Sequence, residues 1–154
     1  DQRHRNQPSE RLRVEFTNDP YIAARTEHRC AISATLQSDL VGRWGSEGLG
    51  HLPYSGTGGQ ADFVRAANRS KGGKAFIVLP STAKDGAVSR IAPVLSPGTH
   101  VTTRKNDVNY VVTEYGVAEL RGKTARQRAE ALIGIAHPDF RAELRASARH
   151  MTLL

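Results

Sequence analysis

The sequence AFIVL, at residues Ala75–Leu79, is the clearest strand signal in the chain. A continuous apolar run of this length is typical of a strand covered on both faces, because an exposed face favours alternating polar residues. The preceding segment, Gly59–Asn68, has the apolar spacing of a helix that buries Phe63, Val64 and Ala67. A helix followed by a buried strand indicates a sheet with helices packed against it.

Further strands and helices are predicted on either side of this pair. The strand candidates are Cys30–Leu36, Ser89–Leu95, His100–Thr103 and Tyr110–Tyr115, with Ser38–Trp44 as an extension of the first or the second arm of a bend. Later in the chain, Thr124 and Gln127 form a capping box at the start of one helix, and Pro138 begins another. Strands interspersed with helices predict an α/β layered domain.

The beginning of the sequence lacks the apolar patterns of strands and helices. Residues 1–12 (DQRHRNQPSERL) are polar and show no periodicity, so we expect a flexible terminus or a linker remnant there and the domain at 13–154. Arg13–Phe16 is predicted as a short strand. Pro20 occupies the first position of a helix that is predicted to end near Thr26.

The chain is basic, with 22 Lys and Arg against 15 Asp and Glu and a formal net charge of +7 at pH 7. Such a charge suits an anionic partner, either nucleic acid or a small phosphorylated ligand. The basic residues are spread along the chain and only 6% of the residues are aromatic. Because base stacking needs aromatic surfaces, the small ligand is the stronger hypothesis.

The compartment is indicated by two further features. No apolar run is long enough to cross a bilayer, so no membrane association is expected. Cys30 is the single cysteine, which excludes an internal disulfide and favours a reducing, cytoplasmic compartment. We expect it to be a buried structural thiol.

Residues 45–59 (GSEGLGHLPYSGTGG) contain six glycines and predict a long functional loop, since structureless loops of this length are uncommon in compact domains. At its end, Gly56, Gly58, Gly59 and Gln60 lead into the predicted helix. Converging backbone N–H groups at a helix N-terminus stabilise a phosphate, a carboxylate or the oxyanion of an attacked thioester. The spacing matches neither a Walker loop nor a Rossmann fingerprint. A tight turn that needs glycine for backbone reasons alone is the alternative.

The stretch Tyr54–Phe63 (YSGTGGQADF) resembles the glycine motif of the acetyl-CoA hydrolase/transferase family, which includes 4-hydroxybutyrate CoA-transferase and succinyl-CoA:acetate CoA-transferase. The resemblance continues through Ser70–Lys74, Leu79–Ala83 and Ser89–Ile91, is densest in Asp107–Gly122, and ends at Ile135–Arg141. It covers nearly the whole chain from Arg13 onward, but only the C-terminal half of the usual family member.

The resemblance implies a three-layer α/β CoA-transferase-like domain with a mostly parallel or mixed central sheet. It also implies an N-terminal CoA-transferase-like domain or subunit as partner, an active site between the two, and coenzyme A, as acyl-CoA, as the substrate. Further association of copies of the complex is possible. Family members move CoA from an acyl-CoA to a free carboxylic acid through a glutamyl-CoA thioester, and the glycine loop would provide the oxyanion contact from Gly58 or Gly59.

Gln37 stands where the family pattern has the nucleophilic glutamate, within Ile32–Arg43 (ISATLQSDLVGR). An amide lacks the nucleophilic carboxylate oxygen and forms neither the anhydride nor the thioester. It can still donate a hydrogen bond. We therefore expect a diverged active site whose reaction is acyl transfer to an amine or an alcohol, or hydrolysis.

Two residues of the glycine-rich loop, Glu47 and His51, are candidates for the base that activates water, an alcohol or an amine. No pair of His, Cys or carboxylate side chains has metal-ligand spacing, so no metal is expected. Two other functions remain open. The chain could be a non-catalytic partner subunit of a CoA-transferase-like complex or, less strongly supported, a basic nucleic-acid-binding module.

Overall fold

A computed structural model describes residues 11–154. Residues 1–10, which include most of the predicted flexible terminus or linker remnant, lie outside the described residues. The helices are α1 (Val14–Thr17), α2 (Pro20–Ala23), α3 (Gln60–Arg69), α4 (Ala125–Ile135) and α5 (Pro138–His150). The strands are β1 (Cys30–Ala34), β2 (Gln37–Asp39), β3 (Trp44–Gly45), β4 (Gly48–Leu49), β5 (Leu52–Pro53), β6 (Lys74–Val78), β7 (Thr82–Ala83), β8 (Val88–Ser89), β9 (Ile91–Ala92), β10 (Tyr110–Thr113) and β11 (Gly116–Glu119).

The largest sheet has the strand order β1-β6-β10-β11. Strands β1, β6 and β10 are parallel, and β11 returns antiparallel to β10. The parallel strands are rich in the β-branched and small apolar residues that fit a half-buried sheet. The expected mixed central sheet is therefore present, although β11 was not predicted as a strand.

One face of this sheet forms the core. Side chains at alternate positions, among them Ala31, Ile77 and Val111, are buried in a single cluster with residues of α3 and α4. Because successive side chains of a strand point to opposite faces, these burial positions place both helices on the same face of the sheet. The core thus lies between one helical layer and one sheet.

The opposite face of the sheet is uncovered within residues 11–154. Ile32, Val78 and Val117 are 70%, 37% and 60% exposed. The expectation that Ala75–Leu79 is covered on both faces is therefore wrong for the described residues, since no described helix packs on the second face. Cys30 begins β1 and points to this uncovered face, so the prediction of a buried thiol is also wrong.

A smaller sheet, with the order β3-β2-β9, stands beyond the end of β1. Strands β2 and β3 form a hairpin in which Gln37 pairs with Gly45, so Ser38–Trp44 is the second arm of a bend and not an extension of β1. The loop predicted at residues 45–59 contains a second small hairpin, made by β4 and β5. Its structure comes from short-range pairing that the glycine-rich composition did not indicate.

Two predicted strands are not continuous strands in the structure. Ser89–Leu95 contains only the two-residue strands β8 (in part) and β9, and His100–Thr103 makes a single bridge, between Thr103 and Trp44. Arg13–Phe16 is mostly helical, because Phe16 N–H donates to the carbonyl of Arg13 instead of to a neighbouring strand. In a short exposed segment, the backbone N–H and C=O groups pair with near neighbours in the sequence when no strand lies beside them.

The helix starts follow the sequence signals closely. Pro20 begins α2, whose N-cap Asp19 accepts hydrogen bonds from two backbone N–H groups, although the helix ends at Ala23 and not near Thr26. The capping box of Thr124 and Gln127 is present at the start of α4. Pro138 begins α5 as predicted. None of the helices in residues 11–154 has the length and apolar character of a membrane span.

Because this face of the sheet is apolar and uncovered, we predict that the chain, studied alone, self-associates through it. We expect Ile32→Lys or Val117→Lys to lower the fluorescence of a bound hydrophobic dye and to reduce self-association in sedimentation. The melting temperature should change little, because surface substitutions usually alter stability by less than about 0.5 kcal/mol. Val94→Lys is the matched control, since Val94 is 51% exposed but lies outside the sheet. Equal effects of all three variants would contradict the assignment.

Candidate functional site

The parallel strands end at one edge of the sheet, and the segments that follow them build the site. β1 leads to Thr35–Gln37, β6 leads to Leu79–Ser81, and β10 leads to Glu114. In open α/β sheets, ligands bind outside the carboxyl ends of the parallel strands. The sheet topology therefore places the candidate site at this edge.

A cavity of about 310 Å³ lies there, and Gln37 lines it. The other lining residues are Leu36, Leu49, Tyr54, Ala83, Val88, Ser89 and Arg90. The wall is mostly apolar, with a few polar groups that converge on it. This composition is typical of small-molecule sites, in which a few placed polar groups fix the ligand's orientation.

Gln37 is held in one orientation. The side chain is buried, at 8% exposure, and its Oε1 accepts a hydrogen bond of 2.9 Å from the backbone N–H of Ser96. A backbone N–H can only donate, so the amide atom that faces Ser96 must be the oxygen. The amide nitrogen Nε2 makes no hydrogen bond within residues 11–154 and keeps its two N–H donors.

Arg90 is another polar residue of the cavity, and the sequence gave no signal of a role for it. Its Nη1 donates to the carbonyl of Leu36 at 3.0 Å and its Nε donates to the carbonyl of Thr82 at 3.2 Å. Its own backbone bonds to Ser81 and Ser38 on either side. The only sequence signal was its place in the motif Ser89–Ile91.

Glu114 and Ser81 form a pair at the ends of β10 and β6. The backbone N–H of Ser81 donates to Glu114 Oε2 at 2.9 Å, and Ser81 Oγ donates to Oε1 at 2.5 Å. The hydrogen bond from the Ser81 side chain lowers the pKa of Glu114, which the nearby His137 lowers further. The carboxylate therefore joins two strand ends.

Glu47 is engaged in structural contacts instead of being a solvated loop residue. Its Oε1 lies 3.0 Å from His100 Nδ1, and its Oε2 accepts from Thr102 Oγ1 at 3.1 Å. The Glu47 side chain is only 13% exposed. Glu47 is not among the residues that line the Gln37 cavity. These contacts fasten the glycine-rich loop to the segment around residues 100–102.

His51 lies on the same loop, between two residues that line the cavity, Leu49 and Tyr54. It is exposed, and its ring packs against Gly98, where an added Cβ would come within 2.4 Å of His51 Cε1. His51 itself does not line the cavity. His51 is therefore a neighbour of cavity residues along the chain, but its ring does not line the cavity.

The glycine motif leads into a helix, as predicted. Gly59 is the N-cap of α3, and Gly58 has a φ of +56°, in the left-handed region that glycine tolerates best. Gly56 and Gly58 are exposed, and Gly59 and Gln60 are half-buried. Residues Thr57–Gly59 border a different cavity, of about 640 Å³, that is shared with α1 and α2. The glycines of the motif therefore do not line the Gln37 cavity, whereas Tyr54, at the start of the motif, does.

Among residues 11–154, no three His, Cys, Asp or Glu side chains form a group that could hold a metal ion.

The fold and the cavity define a class of protein, an α/β domain with a cavity at the carboxyl edge of a mixed sheet. The sequence matches the family model of the acetyl-CoA hydrolase/transferase C-terminal domain over residues 1–148. The chain therefore belongs to the acetyl-CoA hydrolase/transferase family, which confirms the resemblance seen in the sequence.

Relatives with high identity are CoA transferases. A succinyl-CoA:cyclohexane-1-carboxylate CoA transferase from Geobacter metallireducens is 61% identical over 138 residues, which are 90% of this chain and 32% of the relative. A 4-hydroxybutyrate coenzyme A transferase from Clostridium kluyveri is 54% identical over 131 residues, which are 85% of this chain and 30% of the relative. The chain thus spans about a third of the length of these relatives.

Solved structures of the family superpose well on the chain. RipA from Yersinia pestis has a TM-score of 0.86 at 47% identity, over 92% of this chain and 32% of its own. A 4-hydroxybutyrate CoA-transferase from Porphyromonas gingivalis has a TM-score of 0.72 at 44% identity, over 90% of this chain and 30% of its own. These similarities confirm the predicted α/β CoA-transferase-like fold class.

The contact between Ser81 and Glu114 predicts a pH-dependent contribution to stability. A carboxyl whose pKa is lowered by folding stabilises the protein above the pKa of the unfolded state, and the stabilisation is lost as the pH falls through the lowered folded pKa. We expect Ser81→Ala to raise the pKa of Glu114 towards its ordinary value, as followed by NMR titration. The loss of stability, about 1 kcal/mol or less because Glu114 is exposed, should be larger at pH 7 than at pH 3.

Ser55→Ala is the control for this experiment, because the Ser55 hydroxyl donates only to the neighbouring Gly56 carbonyl. It should leave the titration of Glu114 unchanged. A pKa of Glu114 that is the same in wild type and Ser81→Ala would show that the hydrogen bond does not hold the carboxylate.

Proposed function

We propose that the chain supplies one half of an acyl-CoA site and acts with an N-terminal CoA-transferase-like domain or subunit. The observation that carries the proposal is the cavity of about 310 Å³ in which a buried Gln37 faces a ligand-sized, mostly apolar space at the carboxyl edge of the sheet. The relatives named as CoA transferases support coenzyme A, bound as acyl-CoA, as the ligand.

The uncovered sheet face supports the need for a partner. Ile32 and Val117 are more than half exposed, and the family relatives are about three times as long as the aligned segment. We propose that the N-terminal CoA-transferase-like domain or subunit covers this face. The complex of both halves is proposed to be the active species, with association of several copies as a further possibility.

We propose that the reaction proceeds without a glutamyl-CoA intermediate. With Oε1 bonded to Ser96, the Nε2 of Gln37 remains to donate a hydrogen bond to the thioester carbonyl oxygen. Water, an alcohol or an amine then attacks the carbonyl carbon and gives up a proton, the carbon–sulfur bond breaks, and CoA leaves as a thiolate that takes up a proton. In this scheme Gln37 stabilises charge and forms no covalent bond.

The proposed base is His51 or Glu47. Glu47 already binds His100 and Thr102, so its carboxylate would have to leave these partners in order to act. His51 lies between two cavity residues of the chain and is exposed, and it is therefore the first candidate to test. Its ring needs to be within hydrogen-bond reach of the attacking group.

A non-catalytic role is the second candidate. The hydrogen bond between Gln37 and Ser96 and the engagement of Glu47 are both contacts that a purely structural domain would also make. In that case the chain would supply CoA contacts and structural support to a catalytic partner. Turnover by the complete complex that is unaffected by changes at Gln37 and His51 would favour this role.

The glycine motif is proposed as a second contact to acyl-CoA, through Gly56, Gly58, Gly59 and Gln60. Gly58→Ala would force a side chain to a φ of +56°, which costs about 1–2 kcal/mol or shifts the loop. We expect it to weaken acetyl-CoA binding by the complete complex in calorimetry. Gly122→Ala is the matched control, because Gly122 also has a positive φ and open space around it but lies outside the motif.

Gly59 is a poorer test position, since a Cβ there would lie 2.7 Å from the Phe63 ring and disturb α3 directly. Equal acetyl-CoA affinities for wild type and Gly58→Ala would remove the motif from the proposed site.

The absence of a covalent intermediate is tested at Gln37. After incubation of the complete complex with acetyl-CoA, we expect no CoA adduct on wild-type peptides that contain Gln37, and no inactivation by borohydride. Gln37→Glu restores a carboxylate and is expected to gain CoA exchange with a free acid, together with sensitivity to borohydride. Gln127→Glu is the matched control, because glutamate also fits the capping box of α4. A CoA adduct on the wild-type peptide would falsify the scheme.

A further inference from the structure

The outer edge of β1 has no partner strand within residues 11–154, because β1 and β11 are the two edges of the four-stranded sheet. The N–H of Thr35 donates to the carbonyl of Val78, so the odd-numbered residues along β1 face β6. The backbone groups of neighbouring residues in a strand point to opposite sides. The N–H and C=O groups of Cys30, Ile32 and Ala34 therefore point away from β6, and all three residues are exposed.

The sequence of β1 lacks the features that keep an edge strand from pairing. Edges that stay in water usually carry charged residues, proline or a bulge. β1 (CAISA) has no charged residue and no proline, and it pairs with β6 over five consecutive positions without a bulge. The opposite edge, β11 (GVAE), ends in the exposed Glu119. Of the two edges, β1 is therefore the one whose composition suits a further strand.

A cavity of about 250 Å³ lies along this edge, lined by the consecutive residues Arg29–Ser33 and by Phe63 of α3. Side chains of a strand alternate between the two faces, so a cavity on one face would be lined by every second residue. Contact with five residues in a row places this cavity at the edge itself. Phe63 borders it on the helical side of the sheet, and the exposed Ile32 borders it on the other side. An occupant of the cavity therefore meets apolar side chains on both sides.

A β-strand is the occupant that matches both features. Its N–H and C=O groups recur every second residue, as those of Cys30, Ile32 and Ala34 do, and pair with them in strand addition. Its side chains would lie against Phe63 on one face of the sheet and against Ile32 on the other. A strand that is covered on both faces in this way is expected to be apolar on both faces.

We propose that β1 pairs with a β-strand of the N-terminal CoA-transferase-like domain or subunit, so that one sheet continues from this chain into its partner. Family relatives are about three times as long as the segment aligned with this chain, so they contain enough chain to supply such a strand. β1 ends three residues before Gln37, and pairing would therefore hold the partner in a fixed position relative to the proposed thioester site. The inference rests on the proposed function for the identity of the partner, but it needs no acyl-CoA chemistry.

Proline at residue 32 tests the pairing in the complete complex. It removes only an outward N–H, and proline is tolerated at such edge positions, so the hydrogen bonds to β6 remain. Ile32→Ala is the matched variant, since it also removes the isoleucine side chain from the uncovered face but keeps the N–H. We expect Ile32→Pro to raise the dissociation constant of the complex, measured by sedimentation on dilution, about tenfold or more above that of Ile32→Ala, because a carbonyl of the added strand is left unpaired.

Val117 provides the control on the opposite edge. The N–H of Leu120 donates to the carbonyl of Asn109, so the even-numbered residues of β11 face β10 and the N–H of Val117 points outward. Val117 is also 60% exposed on the uncovered face. We expect Val117→Pro and Val117→Ala to weaken the complex to the same extent, because no strand is proposed at this edge.

Hydrogen exchange in the wild-type complex supplies a measurement that needs no variant to fold. The amides of Ile32 and Ala34 are expected to exchange at least about a hundredfold more slowly than the amide of Val117, because hydrogen bonding to the added strand protects them. Equal exchange at the two edges would show that no strand is added to β1.

Two results with the variants would contradict the pairing. Equal dissociation constants for Ile32→Pro and Ile32→Ala would mean that the partner meets only the face of the sheet. If Ile32→Pro instead prevents association between copies of this chain, a second copy occupies the edge and the inference is wrong. Acetyl-CoA binding, measured on the same samples, separates the two proposals. A complex that is paired at β1 but does not bind acetyl-CoA upholds the inference and contradicts the acyl-CoA function.

Discussion

The parallel pairing of β1, β6 and β10 is the constraint on which the rest of the structure depends. Parallel strands must all end at the same edge, so the chain leaves this edge three times with a loop. Those exits carry Gln37, Ser81 and Glu114. Arg90 then fastens the exits together, through backbone and side-chain bonds to residues after β1 and β6. The cavity is thus a consequence of strand direction. The hydrogen bonds of Arg90 that link the segments after β1 and β6 also fix the position of its guanidinium in the cavity.

Features with a local cause could be predicted from the sequence. The starts of α2, α4 and α5 follow from Asp19 with Pro20, from the capping box of Thr124 and Gln127, and from Pro138, each of which acts within one helical turn. The strand at Ala75–Leu79 was found from its apolar run, but its exposure was not. A run of apolar residues shows that both faces are suited to burial, and not that the chain at hand covers both.

Features that depend on contacts between residues far apart in the sequence were missed, because no local pattern signals them. Glu47 was interpreted as a loop carboxylate, yet its partners His100 and Thr102 are more than fifty residues away in sequence. Arg90 was given no role, because its hydrogen bonds to the carbonyls of Leu36 and Thr82 form only where the fold brings these residues together. Gln37 was proposed as a site residue from the family resemblance alone, and that role stays a prediction; spacing within this chain would not have distinguished it from other buried amides.

The position of Cys30 has a consequence for how the chain behaves in air. The thiol lies exposed at the start of the edge strand β1, on the apolar side of the sheet that the described residues leave bare. If two such faces meet with their β1 strands adjacent, oxidation in air would join the two thiols and fix the association as a disulfide-linked dimer. Covering the face would shield the sulfur, so the rate of its alkylation by a maleimide becomes a simple gauge of whether that side of the sheet is occupied.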